Sequence, residues 1–448
     1  MHEEAQELLK NKKFSALRRL LSDLSPIDVA KLIEEFEVED LIVLFRLLPK
    51  DLAAETFVEM DTDSQEQLIN AFNDKELENV VSELYVDDAV DIIEEMPANV
   101  VKRILKHTDS ETRKNINELL KYPKDSAGSI MNVEYVDLRK DMTVGEAFSR
   151  IRKVGVDKET IYTCYVVDKN RFLEGIVTAK DLMISDRNKK LEDIMETNVI
   201  SVNTLDDEET VAEKISKYDF IAMPVVDKEN RLVGIITVDD VIDVIEQETT
   251  EDFTKMAAIT PSEETYFKTP IWVHAKNRIL WLLFLMLSAT ITGLIIERYE
   301  EALKTVTLLA AFLPMLMGTG GNCGAQSSTM IIRGLTLNEI NPKNLFKLIF
   351  KEFKIAFIIG IILAVVNGIR AIIMNHDAEN LPKIIIAEGL TLILTVMLSK
   401  ILGAVLPIIA KGCKLDPALM ASPLITTIVD ACSVLIFFSI ATSILGVL

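Results

Sequence analysis

Five long, nearly uncharged stretches crowd the C-terminal part of this chain: residues 279–296, 305–332, 355–374, 383–410 and 417–448. A helix that crosses a bilayer needs about 20 mostly apolar residues, so each stretch is of spanning length. In hydrocarbon every backbone polar group must find its partner within the segment, which makes helices the structure these runs can adopt. Lys400 interrupts the fourth stretch and Asp430 the fifth. The chain is expected to cross a membrane five times.

Charge is as unevenly spread as apolarity. The 448 residues carry a net charge of −21. Residues 271–448 hold 14 Lys and Arg against 10 Asp and Glu, which leaves −25 on residues 1–270. So acidic a surface repels phosphates and excludes nucleic acid as a partner. It suits solubility, and it equally suits cation binding. Basic residues gather in two connections: Arg333, Lys343, Lys347, Lys351 and Lys354 after the second span, and Lys411 and Lys414 after the fourth. The other two connections, ERYEEALK and NHDAENLPK, carry more acid than base. The positive-inside rule places the basic pair in the cytosol, on the side of residues 1–270. The opening MHEEAQELLKNKKF lacks the apolar core of a signal peptide. A cytoplasmic N-terminus and an extracytoplasmic C-terminus are expected. The four cysteines are scattered without CxxC spacing, against a disulfide framework or a zinc site.

Residues 1–125 read as an acidic array of short helices. SPIDVAKLIEEF, PKDLAAETFVEM and YVDDAVDIIEEM each begin at Pro or Asp and repeat apolar residues at spacings of three and four, one helix face each. Such units bury their faces by stacking on one another, so an all-α superhelical N-domain is expected. An internal duplication follows: YVVDKNRFLEGIVTAKDLMI at 165–184 returns 59 residues later as PVVDKENRLVGIITVDDVID at 224–243. Each copy reads as strand, turn, strand and helix. Its most specific element is G-h-h-T-x-x-D, at 175–181 and 234–240. This resembles an α/β tandem CBS pair, here 126–190 and 191–248. In that family the Thr and Asp can bind a nucleotide ribose, which points to Thr237 and Asp240. Such pairs also serve as dimerising modules without an adenosine ligand, and both readings stand. Residues 249–275 connect this pair to the five-helix transmembrane domain, 276–448. The connection is expected to be helical and acidic, with Trp272 at the interface, and is either a mechanical link or a passive linker.

Inside the membrane, PMLMGTGGNCGAQS places Gly318, Gly320, Gly321 and Asn322 mid-span. Each glycine costs a helix roughly 1 kcal/mol relative to alanine, and backbone loosened at that depth must be buried in protein or line water. Asp430 lies at matching depth. A carboxylate in hydrocarbon costs at least ~2.5–3.5 kcal/mol and normally faces a cavity or a partner. Loosened carbonyls, the Asn322 amide and a carboxylate make an all-oxygen environment, suited to magnesium or calcium. His274 and His376 stand at membrane edges, and Glu388 is expected at the outer interface. Two alternatives remain open: a structural Asp430–Lys400 ion pair, and glycines that serve close helix packing. No GxxxxGK, HExxH or Ser/His pairing marks an enzyme.

Together these pieces resemble the bacterial MgtE magnesium channels over nearly the whole chain, most specifically in PMLMGTGGNCGAQS and DPALMASPLITTIVD. The resemblance implies a homodimer in the cell membrane with a two-fold pore that carries largely hydrated magnesium; oxygen ligands alone leave open a broader divalent transporter that carries cobalt or manganese as well. It implies a selectivity carboxylate at Asp430, a pore-lining amide at Asn322 and a pore carbonyl at Thr426, beside Gly321. It also implies regulatory magnesium ligands: Asp87 and Asp91 in the N-domain, the Gly128 carbonyl, Glu209, Asp219, Asp240 and Asp243 in the CBS pair, and Glu251 and Asp252 on the connecting (plug) helix. Magnesium there would shut the pore, and ATP binds the CBS pair in some members.

Overall fold

The computed structural model describes residues 1–262, 266–267, 269–305, 308–337, 339–376, 380–420 and 422–446. It forms two compact units, Met1–Glu246 and Gln247–Leu448.

The first unit begins with short helices, from His2–Lys10 to Ser110–Leu119. Their starts are chemically marked. Ser25 caps Pro26–Glu34 by accepting from the Asp28 amide, and Asn73 and Glu76 form a reciprocal capping box on Asp74–Val81; each satisfies amides that a helix start leaves unpaired. Alternate helices stack: Pro26–Glu34 on Lys50–Val58, that on Asp74–Val81, and that on Ala98–His107. YVDDAVDIIEEM becomes the helix Val86–Glu95, which buries Val86, Ala89, Val90, Ile92 and Ile93 and leaves its aspartates on the opposite side. The repeating pattern thus builds the expected array.

The duplication is visible in backbone detail. Strands Thr163–Val167 and Leu173–Thr178 pair antiparallel, and so do Ala222–Val226 and Leu232–Thr237, the same elements 59 residues on. The turn residues Arg171 and Asn230, again 59 apart, both adopt positive φ, at 68° and 65°. Each short first strand, Asp137–Leu138 or Val202–Asn203, adds in parallel. The two copies also exchange bonds: Leu173 N donates to Asn230 O at 3.3 Å, and Leu232 N donates to Arg171 O at 2.9 Å. The helical array shares one apolar core with Val202, Val211, Met223, Val225 and Ile236 of the second copy, and Met131 joins the same core.

Among the described residues, the second unit holds five helices long and apolar enough to cross a membrane: Ile271–Arg298, Leu308–Thr336, Leu345–Met374, Leu381–Gly412 and Ser422–Leu445. The second packs on the fourth and fifth, the third on the fourth, and the first on the fifth. The connection differs from the expected single helix over 249–275. Helix Val238–Met256 ends early, Ala258 turns the chain with φ 57°, and Thr260 N donates to Asn277 O at 3.0 Å. From Ile271, after Pro270, the chain already belongs to the first spanning helix.

Candidate cation sites

The glycine-rich run does not loosen its helix. Leu308–Thr336 is helical throughout, and the glycines set how closely its neighbours approach. A Cβ at Gly320 would lie 2.9 Å from Thr395 Cγ2 and Val429 Cγ1, one at Gly321 2.8 Å from Thr426 Cγ2, and one at Gly324 2.6 Å from Ile425 Cγ2. Real Cβ contacts do not fall below about 3 Å, so only glycine allows this seam. The expectation of loosened carbonyls is therefore corrected: these carbonyls belong to a regular helix, and close packing is what the glycines provide.

The same contacts set the depth of the acid. Gly320 meets Val429 and Ser433, and Gly321 meets Thr426, so Asp430 lies level with GTGGN. Asp430 Oδ1 is buried and has no hydrogen-bond partner among the described residues. On the far face of the glycine helix, Pro314, Gly318, Asn322 and Gln326 recur every four residues, all exposed. One wall of the seam is packed protein, and the other turns polar groups outward at mid-span.

Lys400 is not the partner of Asp430. Its Nζ donates to Ser327 Oγ at 3.2 Å, and Ser327 Oγ donates to Glu352 Oε2 at 2.7 Å. Sequence reading missed Glu352, whose only trace is one acid within the lysine-rich run FKEFK. Glu388 likewise departs from the interfacial expectation. It is 3% exposed and accepts from Asn367 Nδ2 at 2.8 Å, because the third and fourth spans close over it.

In the first unit the structure brings Asp87 and Asp91 together with Asp240, and adds Asp88, Glu134 and Glu159. Burial and mutual repulsion push Asp87, Asp88, Asp91, Glu159 and Asp240 up. Asp87 rises well above the usual carboxylate range through burial and its neighbours Asp88, Asp240 and Glu159. Asp88, Asp91 and Glu159 rise to about 7 and Asp240 to about 6, burial again first among the causes. Asn132 Nδ2 bridges Asp87 Oδ1 at 3.0 Å and Glu159 Oε2 at 3.1 Å, and Thr237 Oγ1 donates to Asp240 Oδ2 at 2.5 Å. Asp243, further along that helix, is also raised by burial and by Glu246 and Asp239.

Other expected ligands are not gathered here. Glu209 and Asp219 lie near opposite ends of helix Glu208–Tyr218 and its C-cap, both exposed, about 15 Å apart along the axis. Gly128 donates its N–H to Thr204 O at 2.9 Å and lies under the Tyr122 ring. In the second unit, Lys255 Nζ bridges Glu251 Oε1 at 2.6 Å and Asp416 Oδ2 at 2.7 Å. Burial and the Asp416 charge raise Asp252 beside them. Asp416 was invisible as a partner because its loop, KGCKLD, reads as basic.

Among the described residues no group of three His, Cys, Asp or Glu is arranged to ligate a metal ion directly. The donor chemistry nevertheless fits a hard cation: partly buried carboxylates that repel one another and an orphaned carboxylate oxygen are both relieved by positive charge.

Comparison with known proteins agrees with this anatomy. The MgtE family's membrane region, described as a divalent cation transporter, matches residues 313–440, its intracellular N domain matches 24–125, and CBS domains match 127–186 and 191–247. The magnesium transporter MgtE of Thermus thermophilus is 35% identical over 440 residues, 97% of this chain and 96% of its own length. That of Bacillus subtilis is 35% identical over 436 residues, 97% and 95%. The crystal structure of the cytosolic domain of the magnesium channel MgtE in complex with ATP is 37% identical, with a TM-score of 0.52; the match covers 55% of this chain and 100% of that one. These relatives are transporters rather than enzymes. The chain therefore belongs to the MgtE family of divalent cation transporters.

Proposed function

We propose that this chain conducts magnesium across the cell membrane along a path lined by Asp430, Asn322, Thr426 and Gly321, and that cytosolic magnesium closes it. The observation that carries this reading is the orphaned Asp430 oxygen, level with a helix that turns Asn322 outward at mid-span. Left alone, that outward face would put an amide into lipid. A second copy of the chain, related by a two-fold axis, covers it and sets two Asp430 carboxylates opposite one another. Magnesium gives up water reluctantly, and carboxylates that hold its water shell bind weakly enough for release.

Regulation follows from the acidic sets. Asp87, Asp91, Asp240 and Asp243 repel when bare and lose that repulsion when magnesium binds. Gly128, Glu209, Asp219, Glu251 and Asp252 complete the proposed ligands. Magnesium favours the closed arrangement by its higher affinity for it. ATP at Thr237 and Asp240 competes with that use, because the Thr237 hydroxyl and the Asp240 carboxylate already bond one another within the acid cluster. The N-terminus then lies in the cytosol and the C-terminus outside.

Influx into proteoliposomes containing a magnesium indicator tests the transported ion, with cobalt and manganese as competitors. Saturable magnesium influx, with the other ions as weaker substrates, is the expected result. Flux of manganese or cobalt with none of magnesium would sink the reading.

A further inference from the structure

The relay of Lys400, Ser327 and Glu352 crosses three spans and has no part in the path or the cytosolic sites described above. Its members are 5%, 3% and 9% exposed. Ser327 accepts from Lys400 at 3.2 Å and donates to Glu352 at 2.7 Å, so one hydroxyl joins an ammonium on the fourth span to a carboxylate on the third. Breaking a buried pair leaves an uncompensated charge, which is costly anywhere. In a protein that passes cations it has a second effect, because a bare ammonium near the path repels the ion.

The relay is near enough for that effect. Ser327 follows Asn322 by five residues on the same helix, about 7.5 Å along the axis. It sits one turn from Gly324, whose carbonyl the fourth span approaches at Gly403. Protein interior between them screens poorly, so a unit charge acts over this distance. Among the described residues, Glu352 is the carboxylate tied to Lys400 through the hydrogen-bond chain, while Asp430 stands apart from it.

We infer that Glu352 is the counter-charge that keeps Lys400 from obstructing the cation path, so that Glu352 sets divalent flux through Lys400 without touching the ion. This rests on the reading of the Asp430 path. Charge balance and hydrogen-bonded bracing make different predictions. Glu352→Gln leaves Lys400 uncompensated. Lys400→Met removes the charge to be balanced, and Ser327→Ala removes the bridge but keeps both charges.

The test is magnesium influx by the full-length chain in proteoliposomes, with each variant checked for monodispersity and thermal midpoint. Glu352→Gln is expected to lower influx about 10-fold through added repulsion. Lys400→Met together with Glu352→Gln restores it to within about 3-fold, and Ser327→Ala stays within about 3-fold of wild type. If Glu352→Gln does not fold, recovery of fold and flux in the double variant carries the same conclusion. Wild-type influx from Glu352→Gln would overturn the inference. So would a folded double variant that stays slow, or a Ser327→Ala loss as deep as that of Glu352→Gln. Absence of magnesium influx from the wild-type chain would instead overturn the function on which the inference rests.

Discussion

Gly324 and Gly318 lie six residues apart on one helix and face opposite demands. A side chain at Gly324 would strike Ile425, whereas nothing lies within 4 Å of a Cβ at Gly318. Gly324→Val is expected to lower stability by about 1–3 kcal/mol, the usual cost of overpacking, seen as a reduced thermal midpoint of the solubilised chain. Gly318→Ala should lower that midpoint less than Gly324→Val does, since no atom of the same copy lies within 4 Å of the added Cβ and alanine favours helix. Equal effects of the two would contradict the packed seam. At this scale the sequence was partly legible. GTGGN and Asp430 stood out because glycine and carboxylate are anomalous in a spanning helix. Their geometry was not legible, since whether a glycine loosens a helix or seats a neighbour depends on residues about 100 positions away. Glu352 was hidden for the same reason: only the fold shows that one acid in a basic run turns inward.

Helix Val86–Glu95 concentrates the electrostatic strain of the first unit. Asp88, Asp91 and Glu159 stand raised to about 7 and Asp240 to about 6, against about 4 in an unfolded chain. An acid whose pKa is raised on folding binds more protons when folded, so its favourable contribution is complete below about pH 4 and is lost as pH rises through 6–7. The metal-free chain should therefore show a cytosolic thermal transition that falls between pH 5 and pH 8. Millimolar magnesium should raise the pH 8 value and flatten the dependence, because the metal replaces protons. A metal-free transition that rises over this window would contradict the cluster. Asp87 and Asp91 were singled out by the family resemblance, and their i, i+4 spacing places them on one face of this helix. Glu159 was not, because it lies in an irregular segment after the 3-10 turn Gly155–Asp157, where no period marks a face.

Over the whole molecule, domain order was the most legible level. Apolar runs of spanning length and an exact 59-residue offset each announce an architecture without any partner residue. The connection was less so: helical composition over 244–259 does not reveal that the helix stops at Met256. Proteolysis examines the coupling of these parts. Magnesium should protect residues 1–270 of the membrane-embedded chain, half-maximally in the millimolar range expected for partly exposed carboxylate sites. Asp87→Ala with Asp91→Ala should shift that protection to higher magnesium. Protection that is absent with every divalent cation would remove magnesium sensing from the proposal.

Transport itself turns on one carboxylate. Magnesium influx into proteoliposomes by Asp430→Ala, set beside the wild-type chain and beside a check that the variant is folded and of unchanged assembly size, is the most direct measurement. Influx should fall to the rate of empty vesicles while fold and assembly persist. A folded Asp430→Ala protein that carries magnesium at the wild-type rate would show that the path lies elsewhere.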